Sequence, residues 1–171
     1  MILRAAEARG QHFYSYAQRA LFDNVGMRTL TLEPDTFGMP LAFGYVLGSA
    51  RDRARLGNLL LQGGRWNGEA LLPDSYVRFM RTAAPAWAAD GRPQYGGFVW
   101  LNRVNDWPGP QDSYDLFGSG GQATWIFPTH DLVVVRMGFA KGGDDSPDPL
   151  KLTLEAVPQS QPVEAPYPAK P

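Results

Sequence analysis

Gly118-Ser119-Gly120-Gly121-Gln122-Ala123-Thr124-Trp125-Ile126-Phe127-Pro128-Thr129-His130-Asp131-Leu132-Val133-Val134-Val135-Arg136 is a glycine cluster followed by two strand patterns. Gln122 to Phe127 carries Ala123, Trp125 and Phe127 at alternate positions, and Asp131 to Gly138 has the apolar centre Leu132 to Val135. β-branched and aromatic residues suit a pleated, half-buried surface. Pro128-Thr129-His130-Asp131 has turn chemistry between the two. The sequence therefore predicts an antiparallel hairpin. A third strand is expected over Tyr95 to Asn102, through Tyr95, Phe98, Val99, Trp100 and Leu101.

Upstream the period changes to that of helices. Ser49-Ala50-Arg51-Asp52 reads as a capping box: the Ser49 hydroxyl can accept a backbone N–H and Asp52 can reach back to the N-cap amide. Ala54, Leu56, Leu59, Leu60 and Leu61 form the expected buried stripe, ended by Gly63-Gly64. Trp66-Asn67-Gly68-Glu69 is an Asn-Gly turn. Pro73-Asp74-Ser75 opens a short helix whose inner face is expected to hold Tyr76, Val77, Phe79 and Met80. Earlier, Met1 to Arg9 reads as the end of an amphipathic helix closed by Gly10, and Ser15 to Phe22 as a helix stopped by Asp23-Asn24 and Gly26. Residues 28–48 read as a surface excursion with short extended pieces, whose Phe37, Met39, Leu41, Phe43 and Tyr45 suggest packing on something. Residues 82–94, rich in Ala and Pro, read as loop. Helices followed by an antiparallel sheet make an α+β protein. The expected organisation is one domain portion over 1–157 and a disordered tail over 158–171, where Pro158, Pro162, Pro166, Pro168 and Pro171 interrupt a polar run.

Composition narrows the function. Of 171 residues, 44% are apolar, enough for a sizeable core. Sixteen Lys plus Arg against 17 Asp plus Glu leave a net charge of -1, which opposes phosphate-neutralising nucleic-acid binding and a polybasic membrane anchor. No apolar run nears the ~20 residues that cross a bilayer. The first residues lack a signal peptide's apolar stretch, since Arg4, Glu7 and Arg9 interrupt them. With no cysteine, thiolate catalysis and zinc-thiolate sites are excluded, and His12 and His130 stand in no metal-ligand spacing. No metal or cofactor is expected.

Three readings exist for Gly118 to Gln122. A phosphate cradle needs a strand, the loop and then a helix; here a strand follows, with no Gly-Lys-Ser/Thr. Small residues could instead let backbone amides face an oxyanion. Glycine also marks a bulge or a close backbone approach. Serine catalysis needs a base, commonly a lysine one helical turn away. The three lysines are Lys141, Lys151 and Lys170, and Gly138, Asp148 and Tyr167 stand three positions before them, so there is no Ser-x-x-Lys. His130 at a turn tip and His12 beyond a helix end read as surface residues, and Asp144-Asp145 as a solvated turn. Trp66, Trp87, Trp100, Trp107 and Trp125 fit either a substrate cleft or core and rim packing.

Several segments taken together resemble the penicillin-recognising serine hydrolase family, which includes class C β-lactamases, D-alanyl-D-alanine carboxypeptidases, esterases and 6-aminohexanoate-dimer hydrolases. Ala20-Leu21-Phe22-Asp23-Asn24-Val25-Gly26-Met27 is similar to its "LF-x-P-L-G-M" segment, and Ser49 to Gly57 to its "T-A-R-D-x-A-R-F-G" helix. Gly63 to Glu69 with Leu71-Leu72-Pro73 resembles its "G-G-x-W-N-G-E-x-x-L-P" turn, and Tyr95 to Trp100 its "Y-G-Y-x-W" strand. Gly118 to Gln122 and Asp131 to Arg136 resemble the closing "S-G-x-x-G-Q" and "P-x-x-D-L-V-V-V-R" pair.

The resemblance covers most of residues 1–140 and implies a β-lactamase/transpeptidase-like fold about twice this length. Its Ser-x-x-Lys and Tyr-x-Asn/Ser motifs lie upstream of Met1, so a missing N-terminal half is an expected partner. Tyr14-Ser15-Tyr16 follows residues that match the family downstream of its tyrosine motif, and is not that motif. The family's third box, Lys-Thr-Gly or His-x-Gly, matches Leu116-Phe117-Gly118, where Gly118 fits and the cation is absent. By carry-over the Ser119 backbone N–H is an oxyanion donor beside Gly118. Phe117, Gly120, Gly121, Gln122 and Trp100 are then expected to meet a small amide or ester substrate. Absence of the cation points to the 6-aminohexanoate-dimer hydrolase and esterase branch. The chain alone is expected to be inactive. The alternative is a non-catalytic binding module derived from this fold.

Overall fold

The computed structural model describes residues 2–38, 44–138 and 148–156. Met39, Leu41, Phe43, Lys141, Asp144-Asp145 and the Pro-rich tail lie outside them.

The first helical layer is α1 (Ile2–Glu7), α2 (Phe13–Ala17), a π-helical turn Gln18–Phe22 and α3 (Asp23–Val25). Gly26, at φ +75°, ends this run in the left-handed region where glycine is favoured. The helix runs past the Asp23-Asn24 stop expected from sequence. Residues 28–48 contribute β1 (Thr31–Leu32) and β2 (Val46–Leu47), paired antiparallel, in line with the short extended pieces expected there. Phe37 and Tyr45 point to solvent rather than packing on the body.

Helix α4 (Ala50–Leu61) starts at Ser49, whose Oγ accepts the Asp52 N–H at 3.3 Å. Only half the expected capping box forms. The Asp52 carboxylate turns away from the N-cap amide to Thr29, accepting its N–H at 2.8 Å and its hydroxyl at 2.6 Å. Thr29 Oγ1 in turn accepts the Ser49 N–H, so the side chain of a distant residue caps the helix. Of the predicted stripe, Leu59 and Leu60 are buried, whereas Ala54, Leu56 and Leu61 are half-buried and Asp52 and Gly57 join the buried face.

The Asn-Gly turn joins β3 (Arg65–Trp66) to β4 (Glu69–Ala70), with both Asn67 and Gly68 at positive φ. In α5 (Asp74–Met80) only Val77 and Met80 are buried; Tyr76 and Phe79 form an exposed ring pair. A seven-residue helix presents a narrow face to its neighbour, so two of four apolar positions fill it. The Ala/Pro-rich segment holds a further short helix, α6 (Pro85–Ala89).

The main sheet has the order β5-β6-β7-β8, all antiparallel: β5 (Trp100–Leu101), β6 (Tyr114–Asp115), β7 (Ala123–Phe127) and β8 (Leu132–Arg136). The β7–β8 hairpin is as read from sequence. The strand expected over Tyr95 to Asn102 is folded on itself: Gly96 N–H donates to Val99 C=O, Tyr95 bridges Trp100, and Gly97-Phe98 form the tip. The Gly96-Gly97 pair permits this bend, but it holds Phe98 at φ +68°. A non-glycine residue there carries strain of about 1–2 kcal/mol.

Both faces of β7 are covered. Ile126 packs with Leu60, Met80, Val99, Leu101 and Tyr114 on the α4 side. Ala123, Trp125 and Phe127 pack on the other side against Leu150 and Leu154 of α7 (Asp148–Ala156). All five β7 residues are therefore buried, which requires an apolar strand rather than one polar face. Gly57 allows α4 to lie flat on the sheet: a methyl there would stand 2.7 Å from Val133 Cγ1 and 3.0 Å from Thr124 Cγ2.

Candidate active-site wall

The glycine cluster forms a tight turn at the end of the main sheet. Gly118 is extended and donates its N–H to Gln122 C=O at 2.7 Å, closing a tight turn over Ser119–Gly121. Gly120 and Gly121 have φ +74° and +76°. Side chains at either position would be strained, so the residue pattern is required by the bend. Ser119 is exposed at its crest, and Phe117 is 42% exposed beside it. The β5–β6 register brings the Gly97-Phe98 tip to this same end of the sheet.

Gln122 is occupied structurally. Its side-chain amide donates to Gly138 C=O and accepts the Gly138 N–H at 3.4 Å, tying the turn to the end of β8. Trp100 lies in an aromatic cluster, edge-on to Tyr95 and Trp87 with centroids 4.9 and 5.8 Å away. Gly118, Ser119, Gly120, Gly121, Gln122 and Phe117 are thus brought together at the turn, while Trp100 sits among rings that pack on one another.

Two residues that carried no motif also reach this end of the sheet. Arg53, on the first turns of α4, is half-buried. Its Nη2 stands 4.0 Å from where a Cβ on Gly118 would be, and its Nη1 is 3.8 Å from Met137 Sδ. Asp115 is 2% exposed and accepts the Thr124 N–H at 2.9 Å. Burial pushes its carboxyl up to about 7, against the downward pull of the Thr124 amide, the Arg53 charge and the Leu116 amide. Between pH ~4 and ~7 the folded chain therefore holds a proton that the unfolded chain has released, and stability falls as pH rises through this window. Asp115→Asn is expected to flatten that slope. Urea midpoints across this range measure it, and an unchanged slope would show that Asp115 is not its source.

An open groove of about 570 Å³ runs between α4 and the edge strand β8, past Arg51, Arg55, Asn58 and Gln62 to Val133 and Asp131. None of Gly118 to Gln122 lines it. Among the described residues no cluster of three or more His, Cys, Asp or Glu could hold a metal ion, and no helix is long and apolar enough to cross a membrane.

No protein-family model matches the chain. Solved structures do. A candidate 6-aminohexanoate-dimer hydrolase from Bacillus anthracis shares 25% identity and a TM-score of 0.70, over 88% of this chain and 40% of its own. A β-lactamase from Mycobacterium bovis shares 20% identity and a TM-score of 0.64, over 91% of this chain and 60% of its own. A candidate β-lactamase from Bacteroides dorei shares 19% identity and a TM-score of 0.60, over 88% of this chain and 53% of its own. The chain thus has the α+β, β-lactamase-like hydrolase fold, as its motifs suggested, and spans 40–60% of the length of these relatives.

Proposed function

We propose that this chain is the C-terminal part of a serine hydrolase that cleaves an amide or ester through an acyl-enzyme. The observation that carries this reading is the Gly118–Gly121 turn, which stands at the open end of the main sheet of a β-lactamase-like fold. In this reading a serine from the Ser-x-x-Lys half attacks the substrate carbonyl. Lysine and tyrosine from the same half take up the serine proton and pass it to the leaving group. The Ser119 N–H, at the exposed crest of the turn, donates to the oxyanion as charge develops on the carbonyl oxygen. Water then attacks the acyl-enzyme and releases the acid. One such donor is worth about 10²–10³ in kcat, so the turn assists the reaction but does not start it.

No serine in this sequence stands three residues before a lysine. The chain by itself is therefore expected to hydrolyse p-nitrophenyl acetate no faster than its Ser119→Pro variant. Turnover above that control would mean that a nucleophile exists within these residues. The matching genetic test reads ~700 bases upstream of the Met1 codon, room for about 200 residues of a typical domain. A Ser-x-x-Lys and a Tyr-x-Asn or Tyr-x-Ser encoded there support the hydrolase. Their absence would leave a binding module built on the same fold.

A further inference from the structure

The segment Leu116-Phe117-Gly118 lacks a cation in sequence, but a cation stands beside it in space. We propose that Arg53 is the anion-recognising residue of the glycine-turn site, selecting substrates that carry a free carboxylate close to the bond being cleaved. This rests on the turn being the substrate-facing wall, and it names a feature of the substrate.

The guanidinium is built for that task and underused by the fold. Arg53 projects from α4 over the end of the sheet, with Nη2 at Gly118 and Nη1 at Met137 Sδ. A thioether is a weak acceptor, whereas guanidinium presents five donors in a planar fork that matches a carboxylate. Asp115 is the nearby acid whose charge acts on it, but that carboxylate is held by the Thr124 amide, and no ion pair within 4.0 Å joins the two among the described residues. A half-buried charge with no ion-pair partner among the described residues has lost hydration that a ligand oxyanion can replace.

Its position is set from both sides. Asp52, the preceding residue, is bound to Thr29 and fixes the rotation of α4, while the Gln122 amide holds Gly138 beyond Met137. Gly118 and Ser119 are consecutive, about 3.8 Å apart from Cα to Cα. A carboxylate on the Arg53 fork would therefore lie within a few bonds of a carbonyl held by the Ser119 N–H. The family's third box lacks its cation here, and Arg53 brings one to the same place from another element.

The test separates charge from shape and needs no turnover. The ¹⁵N-labelled chain is titrated with hexanoate and, separately, with hexanamide, while the Gly118 to Gly121 amides are followed by NMR. Hexanoate is expected to shift them saturably, and hexanamide to bind at least about tenfold more weakly. Arg53→Met should abolish the hexanoate shifts. Arg53→Lys, which keeps the charge without the fork, should bind hexanoate about tenfold more weakly than the parent. If Arg53→Met loses spectral dispersion, Arg53→Gln takes its place. The proposal is overturned if hexanoate produces no saturable shifts, if hexanamide matches it, or if the uncharged variant binds hexanoate as the parent does. Failure of the hydrolase reading looks different: hexanoate still binds through Arg53, but no upstream nucleophile is found.

Discussion

Asp52→Ala is expected to lower the unfolding free energy by about 3 kcal/mol, because it removes the acceptor that joins two parts of the chain. Asp52 is 1% exposed. Its Oδ2 takes both donors of Thr29, 23 residues away, and its Oδ1 takes Arg55 Nη1 at 3.0 Å. Arg55 is 41% exposed, so water screens that pair and it contributes little. The weight falls on the Thr29 bonds. Alanine would leave an N–H and a hydroxyl without their acceptor in a part-buried place, and would free Thr29 to stop holding the Ser49 N–H.

Burial opposes ionisation of Asp52, but the two Thr29 hydrogen bonds and the Arg55 charge outweigh it and hold its carboxyl below the usual carboxylate value. Its stabilisation is therefore present above pH ~4 and is lost as pH falls below it. Urea denaturation at neutral and at acid pH should show the parent and the variant converging in acid. A neutral-pH loss under about 1 kcal/mol, the scale of one ordinary cap, would mean that the Thr29 link does not anchor α4. Arg53 follows Asp52 directly, so the same variant should also weaken hexanoate binding.

Phe127→Ala is expected to cost about 3–5 kcal/mol, the range for emptying a buried aromatic site. The ring is fully buried on the face of β7 that meets α7, packed with Ala123, Trp125 and Leu150. It also lies against the chain at Gly109, where a methyl would approach Cε1 to 2.8 Å. Backbone on that side limits collapse into the space left, so most of the cavity cost should remain. For a chain of this size the loss corresponds to a fall in Tm of roughly 6–20 °C. Calorimetry measures it, and a fall of less than about 3 °C would show that α7 does not depend on this ring. The expected secondary effect is faster amide exchange in Asp148–Ala156.

The local elements were legible because their signals are local. Ser49 with a following apolar stripe, Asn67-Gly68 between short strands, and the apolar run Leu132 to Val135 after a Pro-containing turn each specify backbone geometry within a few residues. The glycine cluster was legible only as a stretch of unusual backbone, with three readings open; the structure makes it a turn in which Gly120 and Gly121 adopt a conformation that other residues resist. The folding-back of Tyr95 to Trp100 was not legible, because apolar residues on both sides of Gly96-Gly97 read as one continuous strand. The short helix α6 was hidden by Ala and Pro, and α7 carried too little apolar pattern to be distinguished from its surroundings. Tyr76 and Phe79 looked internal by period alone, and which two of the four apolar side chains of α5 are covered depends on the neighbour.

Partnerships across the chain form the other class. Nothing near Asp52 in sequence announces Thr29, and nothing near Leu116-Phe117-Gly118 announces Arg53, 65 positions before Gly118. The burial of Asp115, and with it the upward push on its carboxyl, depends on β6 lying between β5 and β7. Period, caps and turns are written in residues a few positions apart, so the amino-acid order alone determined the hairpin and α4. Charge placement at the bend over Gly118 to Gly121 is a matter of distances between residues far apart in the chain, and only the packing of α4 on the sheet decided which cation stands there.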